Sequence, residues 1–248
     1  MSKKAFTLAE VLITLTILGV VAVLTIRTAI IKTQEREVVA KVLKAYSQLD
    51  NAFETYKVIN GGLERSVNFS NDGRVRDIYN HIISPNFKII RDCGTTGQGC
   101  MAIDGGFRQN YACKTLDGRD LVENRLAPCT ASNWLWNWEG TYYRVLTANN
   151  IGIAIQSLRG TWTTSAENFG NINGDTIIGL IAVDVNGPKA PNTLGRDIFM
   201  FGLTNKGVFP YPMDRNNCDI NNKTRDTING AGCTDFIIRN KNMNYLRR

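Results

Sequence analysis

Hydrophobic residues follow two regimes along this chain, one unbroken and one periodic. From Phe6 to Ile26 the sequence reads FTLAEVLITLTILGVVAVLTI, apolar on every side and carrying one charge, Glu10. About 20 apolar residues in a helix cross a hydrocarbon core, and this run supplies them. After Arg27 the pattern changes. Val39, Val42, Tyr46, Leu49, Phe53 and Tyr56 recur at steps of three and four, which is one apolar stripe on an amphipathic helix. Glu35, Lys41, Lys44, Asp50 and Lys57 fill its polar side. No proline interrupts Phe6 to Gly62, and Asn60-Gly61-Gly62 is a helix stop, because glycine accepts the left-handed cap. The pattern predicts one helix over 6–61, roughly 80 Å long at about 1.5 Å per residue. Its first half requires lipid or other helices, and its second half requires a domain.

Beyond the helix the pattern is mixed to residue 92. Arg76 to Ile83 reads as a short amphipathic helix ended by Ser84-Pro85, since the residue before proline avoids helical geometry. Cys93 to Glu139 is rich in Gly, Cys and polar residues and reads as a long insertion. Its tryptophans alternate (Trp134, Trp136, Trp138), as on one face of a strand; packing explains them as well as a carbohydrate or protein contact does. Strand patterns follow at Thr141–Thr147 and Ile151–Leu158, around the turn residues Ala148-Asn149-Asn150. Further strands fall at Ile177–Val185 and Ile198–Thr204, and Asn205-Lys206-Gly207 turns into Val208-Phe209-Pro210. Short strands joined by turns make an antiparallel sheet over about 141–211. The Val39–Tyr56 stripe can cover it, so the fold class is α+β.

The N-terminus carries the most specific motif. A short basic leader, Met1 to Ala5 with Lys3 and Lys4, precedes Phe6-Thr7-Leu8-Ala9-Glu10-Val11-Leu12-Ile13. A secretory signal peptide would have a shorter apolar core and a small-residue cleavage site behind it; no such site follows here. The segment resembles the class III signal peptides of type IV pilins and type II secretion pseudopilins, with Ala5 where Gly is usual. The resemblance implies cleavage between Ala5 and Phe6 by a prepilin peptidase, methylation of the Phe6 amine, and an assembly role for Glu10. In a bundle of apolar helices an unpaired carboxylate is costly; a neighbouring subunit's N-terminal ammonium offsets that cost and sets register. The implied partners are identical or related pilin subunits, the peptidase and an inner-membrane assembly platform.

Lys3 and Lys4 hold the N-terminus in the cytoplasm, so the expected topology is single-pass, with the later domain outside and then in a pilus or pseudopilus. The expected division is a leader at 1–5, the helix at 6–61 with 6–26 as membrane or filament core, and an exported domain at 62–248. The resemblance implies the same helix-on-sheet fold.

Net charge is +7, and loss of Lys3 and Lys4 leaves 27 basic against 22 acidic residues. The basic residues are scattered rather than interleaved with aromatics, which argues against a nucleic-acid partner. All six cysteines lie beyond residue 90, and the only histidine is His81. An even cysteine count in an exported domain points to disulfides rather than metal. Pilins close a C-terminal loop with a disulfide, and Cys218 and Cys233 are placed for it. Such a loop stabilises by about 3 kcal/mol in the chain-entropy model. Cys93, Cys100, Cys113 and Cys129 then pair among themselves in one of three ways, Cys93–Cys113 with Cys100–Cys129 being one.

One loop has cation chemistry. Asp184, Asn186, Asn192 and Asp197 lie in a stretch bent by two Gly and two Pro. Calcium takes six to eight oxygens, and some pseudopilins bind calcium in a sheet-edge loop. The stretch lacks the EF-hand pattern, and Asx-turns explain the same residues. No G-x-S-x-G, H-E-x-x-H or Walker motif is present, so the chain reads as a structural protein rather than an enzyme. Four roles remain open: pilus subunit, secretion pseudopilin, minor pilin binding DNA or a surface ligand, and a membrane-anchored exported domain that never polymerises.

Overall fold

The computed structural model describes residues 7–61, 73–94, 99–101, 116, 118, 143–157, 177–189, 191–204, 206–211, 218–221 and 229–247. The chain divides into two compact units, Met1–Glu37 and Val38–Arg248. Helix α1 (Leu8–Asn60) contributes to both. In the first unit every large apolar side chain from Leu8 to Ile31 is exposed, and the helix is long and apolar enough to cross a membrane. Its threonines are not polar defects. Thr14, Thr16, Thr25, Thr28 and Thr33 each donate the hydroxyl to a carbonyl three or four residues back, at 2.8–3.1 Å. Such back-bonding satisfies the hydroxyl inside the helix.

In the second unit the expected stripe is the buried face. Val39, Val42, Leu49, Phe53 and Tyr56 are buried together with Ala45 and Ala52. Tyr46 is half-buried and stacks on Phe201 at 5.8 Å. Gly61, at φ 74°, ends the helix, and its N–H closes on Lys57 O.

The sheet is a six-stranded antiparallel meander in the order β1 (Ile89–Gly94), β2 (Tyr143–Thr147), β3 (Gly152–Ser157), β4 (Ile177–Asp184), β5 (Ile198–Thr204) and β6 (Val208–Pro210). Ile153, Ile155, Ile181, Val183, Phe199 and Phe201 share one core cluster with the α1 stripe. The opposite face is buried as well: Ala154, Leu180, Ala182 and Met200 are at most 3% exposed. Burial on both faces explains the continuous apolar run of β5, which a one-sided sheet would break with polar residues.

β1 and the short helix depart from the sequence reading. β1 was not expected. It is an edge strand whose residues Ile90, Arg91 and Asp92 are all exposed, and two register shifts interrupt its pairing with β2. Bulges protect such edges and also erase the alternation that would announce them. The short helix does not stop at Ser84-Pro85. α2 (Gly73–Ile78) widens into a π-helical turn at Tyr79–Ile83, and α3 (Ser84–Asn86) follows. The Ser84 N–H reaches Tyr79 O across the wide turn. Pro85 therefore enters where the α-helical bonding is already broken, and the Asn86 amide donates back to Ile82 O at 2.8 Å. Tyr79 from this turn stacks on Tyr143 of β2 at 4.2 Å, and Tyr143 donates its hydroxyl to Asp92 of β1 at 2.8 Å.

The long connection between β1 and β2 begins with a staple. Cys93 bonds to Cys100, with Cα atoms 6.1 Å apart, which sets aside the Cys93–Cys113 arrangement. Gly94, at φ 50°, turns the chain back so that residues seven apart meet. Cys113, Cys129 and the three tryptophans lie outside the described residues. Cys100 and Met101 then cross the sheet at Gly152, where an added Cβ would come within 2.6 Å of Cys100 O and 2.7 Å of Met101 Cγ.

Gly152→Ala is expected to destabilise the protein by about 1–3 kcal/mol, the range of an overpacked core. Thermal and denaturant unfolding of the detergent-solubilised protein would measure it. An unchanged midpoint would mean that the Cys100 segment does not rest on β3.

Candidate functional site

At the N-terminal site the helix begins one residue after Thr7. The Thr7 N–H donates to Glu10 Oε2 at 2.8 Å, the Thr7 hydroxyl donates to the same oxygen at 2.9 Å, and the Glu10 N–H donates to Thr7 Oγ1 at 3.3 Å. This is a capping box, Thr-x-x-Glu, in which two orphan backbone donors of the first turn are satisfied reciprocally. The carboxylate also lies at the helix end where the dipole favours negative charge. The sequence reading gave Glu10 an assembly role and passed over this local one, although the spacing Thr7-Leu8-Ala9-Glu10 signals it. Ala5 and Phe6 lie outside the described residues.

The acidic loop joins β4 to β5. Asp184 ends β4 on the sheet face opposite α1, in register with Gly152 on one side and Ile198 on the other. Asp197 immediately precedes β5. Asn186 joins the two acids: its N–H donates to Asp184 Oδ1 at 3.2 Å and its amide to Asp197 Oδ2 at 3.1 Å. The Asn192 N–H also donates to Asp197 Oδ2, at 2.7 Å, and the Thr193 N–H donates to Asp197 Oδ1. Asn192 holds φ 53°, a conformation asparagine tolerates better than most residues. The loop thus brings Asp184, Asn186, Asn192 and Asp197 together, and Asx-type bonds shape it.

These acids are buried, Asp184 completely and Asp197 to 3% exposure. Burial, and then the charge of Asp197, push the Asp184 carboxyl well above the usual carboxylate range; the N–H groups of Asn186 and Gly187 oppose that shift. Burial also raises Asp197, against the N–H groups of Thr193 and Asn192 and the Asn186 amide. Two buried oxygens, Asp184 Oδ2 and Asn192 Oδ1, have no hydrogen-bond partner. Among the described residues no group of three His, Cys, Asp or Glu side chains is placed to hold a metal, so a cation here would draw on amide oxygens. Two carboxylates with amide oxygens fit a hard divalent ion such as calcium, and no softer metal.

The C-terminal elements pack against this loop. Cys218 bonds to Cys233, with Cα atoms 4.8 Å apart, at the start of α4 (Cys233–Asn240), a helix the sequence reading did not anticipate. Gly195, at φ 75°, leaves no room for a Cβ, which would meet Cys233 Sγ at 2.7 Å. Tyr245 is fully buried, and its hydroxyl donates to Gly195 O. Asn229 exchanges two hydrogen bonds with the Asp219 backbone and offers its carbonyl to the Leu116 N–H at 3.0 Å. His81 is exposed, with Nδ1 on Asp77 O and its ring edge-on to Tyr56.

Residues 1–26 match the family model described as the prokaryotic N-terminal methylation motif. No curated protein and no solved structure matches the chain. The motif is that of a type IV pilin-like class III signal peptide. It supports a pilin-like or pseudopilin-like exported chain with a membrane-anchoring N-terminal helix, and implies processing by a prepilin peptidase.

The raised Asp184 carboxyl makes a signed prediction. An acid raised by folding contributes stability that is present below its unfolded value, about 3.9, and lost as pH rises through the folded value. In chelator, Asp184→Asn is therefore expected to stabilise the protein at pH 7 by about 1–3 kcal/mol, with the advantage vanishing toward pH 4. Melting temperatures of both proteins across that range would measure the difference. A pH-independent difference would mean that Asp184 carries no raised carboxyl.

Proposed function

We propose that this chain is a subunit of a helical filament of the type IV pilus or secretion pseudopilus kind. Residues 1–5 are the leader removed at Ala5–Phe6, residues 6–61 the helix that leaves the membrane for the filament core, and residues 62–248 the exported domain. The partners are further pilin subunits, the peptidase and an inner-membrane assembly platform. The observation that carries the reading is the placement of Glu10 in a helix exposed and apolar from Leu8 to Ile31. A permanent anchor accounts for the apolar surface and for the Thr7–Glu10 cap, but has no use for an ionic partner of the carboxylate. In a filament the same charge is excluded from lipid and can be paired.

The expected outcome is a chain that begins at N-methylated Phe6 in sheared surface or membrane fractions, read by intact mass and N-terminal sequencing. Glu10→Ala should leave that processing in place and abolish filaments. A chain still starting at Met1 would overturn the processing, and normal filaments from Glu10→Ala would overturn the role of the carboxylate. Enrichment in sheared surface material would favour a pilus over a periplasmic pseudopilus.

A second reading concerns the acidic loop and rests on the partnerless Asp184 and Asn192 oxygens. Asp184, Asn186, Asn192 and Asp197 would hold calcium, which locks the β4–β5 loop and supplies no chemistry. Calcium at about 1 mM, the range of extracellular modules, should raise the melting temperature by several degrees at pH 7.5 through preferential binding to the native state. Asp197→Asn should abolish that increment; an increment that survives the substitution would place the ion elsewhere.

A further inference from the structure

Charge is distributed unevenly along this chain. From Phe6 to Pro188 it carries 17 basic and 17 acidic residues, which cancel. From Lys189 to Arg248 it carries ten basic residues against five acidic ones, the whole positive excess that remains without Lys3 and Lys4. In sequence these cations are spread out; the fold gathers four of them. Lys189 and Arg196 are exposed in the loop between β4 and β5. Lys241 caps α4, Arg247 follows Tyr245 by two residues, and both are exposed. Tyr245 bonds to Gly195 O, and Cys233 at the start of α4 abuts Gly195, so the C-terminal cations belong to the end of the domain that bears the loop. Lys189, Arg196 and Lys241 make no ion pair among the described residues. Asp184 and Asp197 are buried there, buried Asp235 holds Arg239 at 2.7 Å, and half-buried Asp219 accepts the Asn221 N–H.

Two contacts of α1 locate that end within the second unit. Tyr46 stacks on Phe201, and the Lys57 ammonium donates to Lys206 O at 3.1 Å. From Tyr46 to Lys57 the helix advances about 16 Å, and from Phe201 to Lys206 the extended chain advances the same about 16 Å. α1 and β5 therefore run side by side in one direction. Ile198, three residues before Phe201, lies about 10 Å nearer the start of the unit, level with Val39. The β4–β5 loop and its cations thus occupy the end of the unit at which α1 enters. Val38 opens this unit, and the exposed apolar run ends at Ile31. The chain between them reaches about 25 Å at most.

The chemistry of the patch selects its partner. A second copy offers no acidic excess to match it, because residues 6–188 are balanced. A protein partner needs an apolar centre in the interface, and no large apolar side chain described beyond Ile90 is exposed. A bilayer with anionic lipids attracts basic side chains without an apolar centre, and a domain tethered to it meets those lipids at high effective concentration. We propose that Lys189, Arg196, Lys241 and Arg247 dock the exported domain on anionic phospholipid headgroups of the leaflet from which it emerges. The inference rests on α1 spanning the membrane and not on polymerisation, so it holds for the single anchored chain.

The test uses the full-length chain in nanodiscs of phosphatidylcholine, with or without phosphatidylglycerol. A donor dye on Asn240→Cys, beside the patch, transfers energy to acceptor-labelled headgroups; a second preparation carries the dye on Val58→Cys, at the far end of α1, where the side chain is exposed. The expected result is stronger transfer from position 240 when phosphatidylglycerol is present. That gain should disappear as salt shortens the screening length from about 10 Å to about 3 Å, and position 58 should show no such gain. Each cation near an anionic surface shifts the docked-to-undocked ratio about fivefold. Lys189→Gln with Arg196→Gln should therefore lower that ratio about 25-fold. These two side chains make no hydrogen bond among the described residues, so the pair reads docking without disturbing the fold. Adding Lys241→Asn and Arg247→Gln should bring the loss to roughly several hundredfold. Lys44→Gln with Lys88→Gln removes two exposed cations elsewhere and should leave the transfer unchanged. Transfer that ignores lipid composition, or that survives in both patch variants, would overturn the proposal. Transfer that ignores lipid composition, together with salt-sensitive binding of duplex DNA by the detergent-solubilised chain, would assign the patch to nucleic acid instead.

Discussion

The first two dozen residues of α1 have no apolar partner among the described residues, and that fact dictates what the segment needs. Every large side chain from Leu8 to Ile31 is exposed. At about 25 cal/mol per Å2 of apolar surface left in water, such a segment cannot persist in solution and must lie in lipid or against other helices. Both environments forbid unsatisfied backbone and hydroxyl groups. The threonine back-bonds and the Thr7–Glu10 box meet that demand within the helix itself. These hydroxyls and two of the first-turn N–H groups are thus satisfied before the segment meets any partner.

The globular unit solves a different problem. It has a sheet buried on both faces but a helix stripe for only one of them. The opposite face is covered in part by the segment that the Cys93–Cys100 bond turns back over Gly152. The loop from Asn192 to Asp197 is the point where the remaining pieces converge: the Asp197 hydrogen bonds, the close approach of Cys233 to Gly195 and the buried hydroxyl of Tyr245. A domain that relies on loops for its second layer gains from covalent closure, because loops bury little apolar area per residue ordered. Each described disulfide ties the end of a regular element, β1 at Cys93 and α4 at Cys233, to an irregular segment.

Much of this could be read from the chain, for identifiable reasons. The α1 stripe follows helical periodicity, which is strong where one face is buried, and strands β2 to β6 follow short apolar runs bounded by turn residues. β1 was missed because an exposed, bulged edge strand has no alternation to read. The end of the short helix was misplaced because proline is tolerated in the first turn of a helical segment, and here Pro85 opens such a turn behind a π turn. α4 went unread since its eight residues include Thr234 and Asp235, polar residues that are nonetheless buried. The acidic loop was readable as a cluster of oxygens. That Asp184 and Asp197 are both buried, and joined by Asn186, depends on tertiary packing that spacing does not encode.

The capping box and an interchain role for Glu10 are compatible because they make different demands on one carboxylate. Thr7 uses Oε2 alone, and a carboxylate offers about four acceptor positions. Capping the first turn fixes where the charge sits and keeps it hydrogen-bonded in a lone helix, which lowers the cost of leaving water. A cation from a neighbour can then add to the capped carboxylate without displacing Thr7. An unanchored glutamate would have to lose rotamer freedom at the moment of pairing. On the proposed filament reading the box would prepare the charge for pairing, and a helix that begins with its carboxylate already held in place is better suited to a fixed register than one whose first turn is frayed.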